Sequence, residues 1–206
     1  MANEASAVFD FAGNRRFEKQ LDFIVEIDKI KNIIRKSQLF DGGRFENDAE
    51  HSWTISIMAV LLKEYANFQI NIEKVLIMVL IHDIVEVDAG DTFLYAEDRE
   101  IAHIEEKKAA QRIFGMLDAD QRDFFLETWR EFEEGRTNEA RFAFVFDRLE
   151  PLLQNFLNKG YTWRKNNITR SMVLEKNSKI REGSQEIWSF VEIMLDLAVQ
   201  RGYLPE

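Results

Sequence analysis

The segment Asn71-Ile-Glu-Lys-Val-Leu-Ile-Met-Val-Leu-Ile-His82-Asp83-Ile-Val-Glu86 decides the reading of this chain. Asn71 is a plausible N-cap, because its side-chain oxygen can accept from the free amides of a first helical turn. Val75–Ile81 is an apolar run too short to cross a bilayer, so it belongs in a protein core. A helix over about 72–86 therefore carries His82 and Asp83 into buried surroundings, where an ionisable group needs a partner.

The same helical spacing extends in both directions. Apolar residues recur every three or four positions, only two prolines occur in 206 residues, and alternating patterns are scarce. The expected fold class is all-α. Expected helices run over about 15–35, 49–66, 72–86, 98–117, 119–134, 138–158, 168–180 and 184–201. In the first, Phe17, Leu21, Ile24, Ile27, Ile30 and Ile34 form one buried stripe. Lys36–Asp48 reads as a loop turning at Asp41-Gly42-Gly43, and Val87–Glu97 as a loop through Gly90. Pro151 falls inside the 138–158 helix and removes the amide that would bond the Asp147 carbonyl, so a kink is expected, serving either packing or the site. Nothing marks a repeat, a linker or a domain boundary, and residues 1–206 read as one domain.

Composition bounds the function. With 46% hydrophobic and 12% aromatic residues the chain folds, and with no cysteine it has neither disulfides nor a thiolate zinc site. The opening MANEASAVFD lacks the layout of a signal peptide, so a cytoplasmic setting without membrane association is expected. A net charge of −10 disfavours long nucleic acid, whose binding depends on cations replacing phosphate counterions. A small anionic substrate remains compatible, because local charge decides within a screening length.

Asp147 poses the same problem as His82-Asp83. It lies within Phe142-Ala-Phe-Val-Phe-Asp147-Arg148-Leu149, and either a salt bridge to an arginine such as Arg148 or a divalent cation shared with the other site would resolve it. His103, among Glu105, Glu106, Lys107 and Lys108, reads as part of a solvated face and receives no role. Trp53 is expected in the core. Phe124, Phe125, Trp129 and Phe132, with Trp188, Phe190 and Leu195, read as core or subunit contact.

The ordered set Glu50-His51-Ser52, His82-Asp83-Ile84-Val85-Glu86, Gly90-Asp91 and Asp147 with Glu150 and Gln154 resembles the HD-domain phosphohydrolases, in particular the compact 5′-deoxynucleotidase branch. The likeness runs from about Ile30 to Gln154, with the helices of 168–201 packing on that core. It implies an HD-domain helical bundle and a phosphoric monoester hydrolase, with His51, His82, Asp83 and Asp147 as ligands of a divalent cation, whether Mn, Co, Fe, Ni, Zn or Mg. It further implies that Asp83 and Glu86 take part in catalysis, Glu86 in proton transfer. Glu86 and Asp91 would hold an accessory cation, Arg35 and Arg44 would contact phosphate, and the chain would be a homodimer. Arg44 keeps the branch's spacing to the histidine, whereas Arg35 needs a one-residue shift. Similar bacterial enzymes carry a tryptophan after the first arginine, but this chain has Lys36, so deoxy-selectivity does not follow. The implied substrate is a (deoxy)ribonucleoside 5′-monophosphate. The alternatives are another small phosphate ester, a triphosphate or a cyclic nucleotide, or a non-catalytic, metal-stabilised interaction protein.

Overall fold

The computed structural model describes residues 13–96 and 99–206. The first helix, α1, spans Arg15–Ile27 and passes through a 3-10 turn, Asp28–Asn32, into strand β1, Ile34–Gln38. β1 pairs antiparallel with β2, Phe45–Asn47, in the register Ile34↔Asn47 and Gln38↔Phe45. Helices α2 (Asp48–Leu61) and α3 (Ile72–Ile81) follow. A 3-10 turn, His82–Val85, then leads into the single turn α4 (Glu86–Ala89). The rest is helical: α5 (Arg99–Phe114), α6 (Ala119–Glu134), α7 (Asn138–Leu157), α8 (Tyr161–Lys165), α9 (Arg170–Asn177), α10 (Ile180–Gly183) and α11 (Gln185–Gln200). The fold is mainly all-α. Among the described residues no helix is long and apolar enough to cross a membrane.

Local chemistry sets the main boundaries. The Asn71 side chain accepts from the amides of Glu73 and Lys74 at the start of α3, and Thr137 and Ser184 cap α7 and α11 in the same way. α2 opens with a capping box, the Asn47 side chain accepting from Glu50 N while the Glu50 carboxylate accepts from Asn47 N. α7 runs through Pro151 without a break in assignment.

Two hydrophobic clusters meet at the turn after α3. Val75, Met78 and Val79 pack with Phe142, Phe146, Trp188 and Leu195 in one. Ile81, Ile84 and Val85 pack with Phe23, Phe114 and Trp129 in the other. The tight His82–Val85 turn lets one segment serve both clusters, and it fixes His82 and Asp83 at the seam, 4% and 8% exposed.

Several expectations need correction. The first helix ends at Ile27 rather than near 35, and the expected loop of 36–48 belongs largely to the small hairpin. β-Branched Ile33 and Ile34 favour extended backbone there, while Asp41-Gly42-Gly43 makes the turn as expected. Gly42 has φ +72°, and a Cβ at that position would meet Asn158 Oδ1 at 2.8 Å. Of the expected stripe Ile30, in the 3-10 turn, is buried, whereas Phe17, Ile24 and Ile34 are exposed; the buried residue of α1 is Phe23, which the stripe did not include. Trp53 is 67% exposed rather than in the core. Trp129, Phe132, Trp188 and Leu195 are buried as expected, while Phe124 and Phe190 stay exposed. Helix α8 had no sequence signal, and the expected 168–180 helix is α9 followed by the short α10. The sequence MANEASAVFD, and residues 97–98 at the expected boundary between loop and helix, lie outside the described residues.

Candidate metal centre

Four side chains from three distant parts of the chain converge. His51 lies one turn into α2, His82 and Asp83 follow α3, and Asp147 projects from the middle of α7. The Asp147 Oδ1 oxygen lies 3.3 Å from His51 Nε2 and 3.6 Å from His82 Nε2. His82 Nε2 is 3.1 Å from Asp83 Oδ1, and His51 Nε2 is 3.9 Å from Asp83 Oδ2. Ligand atoms of His51, His82 and Asp83 all lie within 4.8 Å of one another, close enough for one ion to reach each.

A surrounding layer aims the imidazoles. His82 Nδ1 lies 2.9 Å from the Val79 carbonyl, which can only accept, so the proton sits on Nδ1 and Nε2 faces the cluster. That Nε2 is buried and has no hydrogen-bond partner among the described residues. His51 Nδ1 contacts Glu150 Oε2 at 3.1 Å, and Gln154 Nε2 donates to the other Glu150 oxygen. Glu46 lies behind the same ring, and burial together with Glu150 pushes its carboxyl up to about 8. Two oriented imidazoles, two carboxylates and an orphaned buried nitrogen fit a divalent cation.

The charge state of the bare cluster shows what a cation would replace. Burial opposes a charge on His82, but Asp83 and Asp147 outweigh it and raise its pKa to about 10. Burial works to raise Asp147, but Arg148, His51 and His82 hold it well below the usual carboxylate range. At neutral pH the metal-free site thus has its carboxylates ready and a proton on His82 that must leave before Nε2 can act as a ligand. We expect cation uptake to release protons and apparent affinity to rise with pH up to about pH 10, weakening as pH falls. Titration calorimetry in buffers of different ionisation enthalpy measures this. Affinity independent of pH between about pH 6 and 9 would contradict it.

Beside the cluster sits a second acidic group. Arg35 Nη1 donates to Asp83 Oδ2 at 2.8 Å and to Asp48 Oδ1 at 3.0 Å, which places one guanidinium between two carboxylates. Asp48, Asp83 and Glu86 offer oxygens within 4.8 Å of one another. Burial, then Asp83 and Asp48, raise Glu86 well above the usual carboxylate range, and burial raises Asp91. Glu86 Oε2, Asp48 Oδ2 and Asp91 Oδ2 are buried without partners among the described residues.

All of this opens into a cavity of about 310 Å³ lined by His82, Asp83, Glu86, Asp91 and Asp147, and by the cations Arg35, Lys36 and Arg148. Most residues expected at the site are therefore brought together. Arg44 is not: it stands outside the cavity, its guanidinium held by Glu50 at 2.5 and 2.8 Å. Sequence reasoning missed two contributors. One is Asp48. The other is Arg148, whose guanidinium lies over the Phe144 ring at 4.8 Å and 3.3 Å from Asp147 Oδ2. Of the two alternatives for Asp147 the contact with Arg148 is present, and the same carboxylate also touches both histidines. His103 Nδ1 lies 3.4 Å from Glu106 and 3.6 Å from Glu133, at the cavity's edge.

A model of the HD domain matches residues 27–188, which include every one of these side chains. The chain belongs to the HD domain family. The HD-domain relatives include the human 5′-deoxynucleotidase HDDC2, 28% identical over 157 residues, 75% of this chain and 74% of that protein. The 5′-deoxynucleotidase HDDC2 of Dictyostelium discoideum is 27% identical over 143 residues, 66% and 75% of the two chains. Among solved structures, a predicted metal-dependent phosphohydrolase from Magnetospirillum magnetotacticum MS-1 superposes with a TM-score of 0.90 at 46% identity, covering 95% of this chain and 98% of that one. A conserved hypothetical protein from Pyrococcus furiosus, at 22% identity and a TM-score of 0.58, shares the HD-domain fold. It covers 87% of this chain and 99% of its own.

Proposed function

We propose that this HD-domain protein is a metal-dependent phosphomonoesterase that hydrolyses (deoxy)ribonucleoside 5′-monophosphates to nucleoside and phosphate. The observation that carries the reading is the orphaned His82 Nε2 among His51, Asp83 and Asp147 at a cavity whose wall also holds Arg35, Lys36 and Arg148. The names of the HDDC2 relatives support the nucleotide substrate.

In this reading His51, His82, Asp83 and Asp147 hold the divalent cation. When bound, such an ion polarises the phosphoryl group and lowers the pKa of water so that hydroxide is available near neutral pH. Glu86, kept protonated by burial and by its acidic neighbours, moves a proton between the attacking water and the leaving nucleoside oxygen. Arg148 and Lys36 meet the phosphate oxygens, while Arg35 neutralises Asp83 from behind and lends charge to the same wall. The phosphate contact assigned to Arg44 in the sequence passes to Arg148. Glu86 and Asp91, with Asp48 beside them, are the carboxylates for an accessory cation. A homodimer and a cytoplasmic setting belong to the same reading; the exposed Trp53, Ile57 and Leu61 of α2 are apolar surface that a second copy would cover.

The test is orthophosphate release from a panel of ribo- and deoxyribonucleoside 5′-monophosphates. Chelator-stripped protein is resupplied separately with Mn, Co, Mg, Zn or Ni. Release restored by a cation supports the proposal, and the sugar series reads the effect of Lys36. With nucleoside triphosphates and cyclic nucleotides added to the panel, tripolyphosphate or a nucleotide as the product, with no turnover of the monophosphates, would replace it with triphosphate or phosphodiester hydrolysis. In the same assay Arg148→Met is expected to raise KM by roughly 10- to 100-fold, the worth of one charge-assisted contact. An unchanged KM would remove Arg148 from the phosphate site.

A further inference from the structure

The cavity extends well beyond the phosphate end. Asp147, Pro151 and Asn155 follow one another at four-residue intervals on α7, so Asn155 stands two turns from the ligand, roughly 12 Å along the helix axis. That separation places Asn155 past a phosphate and sugar seated at Asp147, where a base would lie. Trp163 and Tyr95 supply flat aromatic surface to the same cavity.

At this end of the cavity Asn155 presents an acceptor. Asn155 is 8% exposed, its amide nitrogen donates to the Pro151 carbonyl at 3.0 Å, and its Oδ1 is buried with no partner among the described residues. Asn177, 1% exposed, spends its amide nitrogen on the Val173 carbonyl at 2.8 Å. The Thr162 hydroxyl donates to the Lys36 carbonyl at 3.2 Å. At Asn155 an amide N–H is spent on the helix backbone and the unpaired Oδ1 is left to accept. A buried acceptor without a partner costs free energy unless a ligand supplies the donor.

Resting on the nucleotidase reading, we infer that Asn155 is a specificity-determining residue that accepts a hydrogen bond from an exocyclic amino group of the substrate base. The amino groups of adenine and cytosine project from the ring edge and carry two N–H donors, matching the unpaired Asn155 Oδ1. A keto oxygen in the same position would meet Asn155 Oδ1 lone pair to lone pair.

The experiment is a cycle between substrate and protein, measuring kcat/KM for the metal-loaded enzyme. One pair of substrates is deoxyadenosine 5′-monophosphate and its purine analogue lacking the amino group. The other is deoxycytidine 5′-monophosphate and its 2-pyrimidinone analogue. Wild type is expected to prefer the amino-bearing member of at least one pair by about tenfold or more, and Asn155→Leu to bring that ratio to about one while its rate on the deaminated member is kept. The inference is overturned if wild type shows no preference in either pair, if the preference survives in Asn155→Leu, or if the variant loses both members equally. Should wild type hydrolyse no nucleotide at all, the nucleotidase reading fails and takes this inference with it; turnover without amino preference defeats the inference alone.

Discussion

Asp147→Asn is expected to lower turnover by at least ~10³-fold and to remove tight cation binding, more than the 10–100-fold usual for a partner one layer out. The reason is position. Its Oδ1 lies near both imidazole nitrogens, so its charge is shared by the whole cluster. An asparagine keeps the volume but gives up the anion, leaving Arg148 and a protonated His82 facing each other across the site. The measurement is metal content after dialysis alongside phosphate release, with thermal melting of the metal-free forms to show that both proteins fold. Glu150→Gln, which touches His51 Nδ1 from behind, should show the smaller loss. A variant at Asp147 that kept one tightly bound cation and wild-type turnover would remove it from the ligand set.

Glu86→Gln should separate the metal from the chemistry. Turnover is expected to fall by roughly 10²–10⁴-fold, the usual worth of a positioned acid or base, with the cation of the His51, His82, Asp83 and Asp147 cluster retained and KM little altered. Burial, Asp83 and Asp48 hold Glu86 protonated well above the usual carboxylate range, so with the cation kept saturating, activity that depends on its proton is lost as pH rises past its pKa. The glutamine variant should lose that alkaline limb along with the rate. Equal loss of that cation would instead make Glu86 a ligand of the histidine cluster, and an unchanged rate would leave it without a part in the reaction.

Much of this was legible in the residues because burial and charge conflict so openly there. His82 and Asp83 follow seven apolar residues and Asp147 follows five; the expected 138–158 helix matches α7, whereas the expected 72–86 helix ends at Ile81 and gives way to the 3-10 turn that holds His82 and Asp83. What stayed hidden has definite physical causes. α1 is apolar on more than one side, so periodicity alone does not choose between Phe17-Leu21-Ile24 and Phe23-Ile27-Ile30. α2 has the same ambiguity, which put Trp53 on the wrong face. Reading 15–35 as one helix and 36–48 as a loop concealed the strand that turns Arg35 inward while Ile34 stays exposed. It also gave Arg44, at the hairpin's tip, a place in the site that it does not occupy. Arg148 and Asp48 adjoin residues that the pattern explained, and adjacency along a helix says little about which cavity a side chain lines. Asn155 carries no motif at all; only the geometry of the wall shows its oxygen unpaired.

The hairpin and α7 are tied together at Asn158, whose amide nitrogen donates to the Leu39 carbonyl at 2.7 Å, while the proposed ligands lie at positions 51, 82, 83 and 147. An ion gripping all four acts as a removable cross-link that closes loops of very different length in one event. Its contribution to the folded state follows supply: a cation at a hundred times its dissociation constant adds about 2.7 kcal/mol, and one withheld adds nothing. The trace-metal content of the surroundings is thereby written into the lifetime of the polypeptide as well as its turnover.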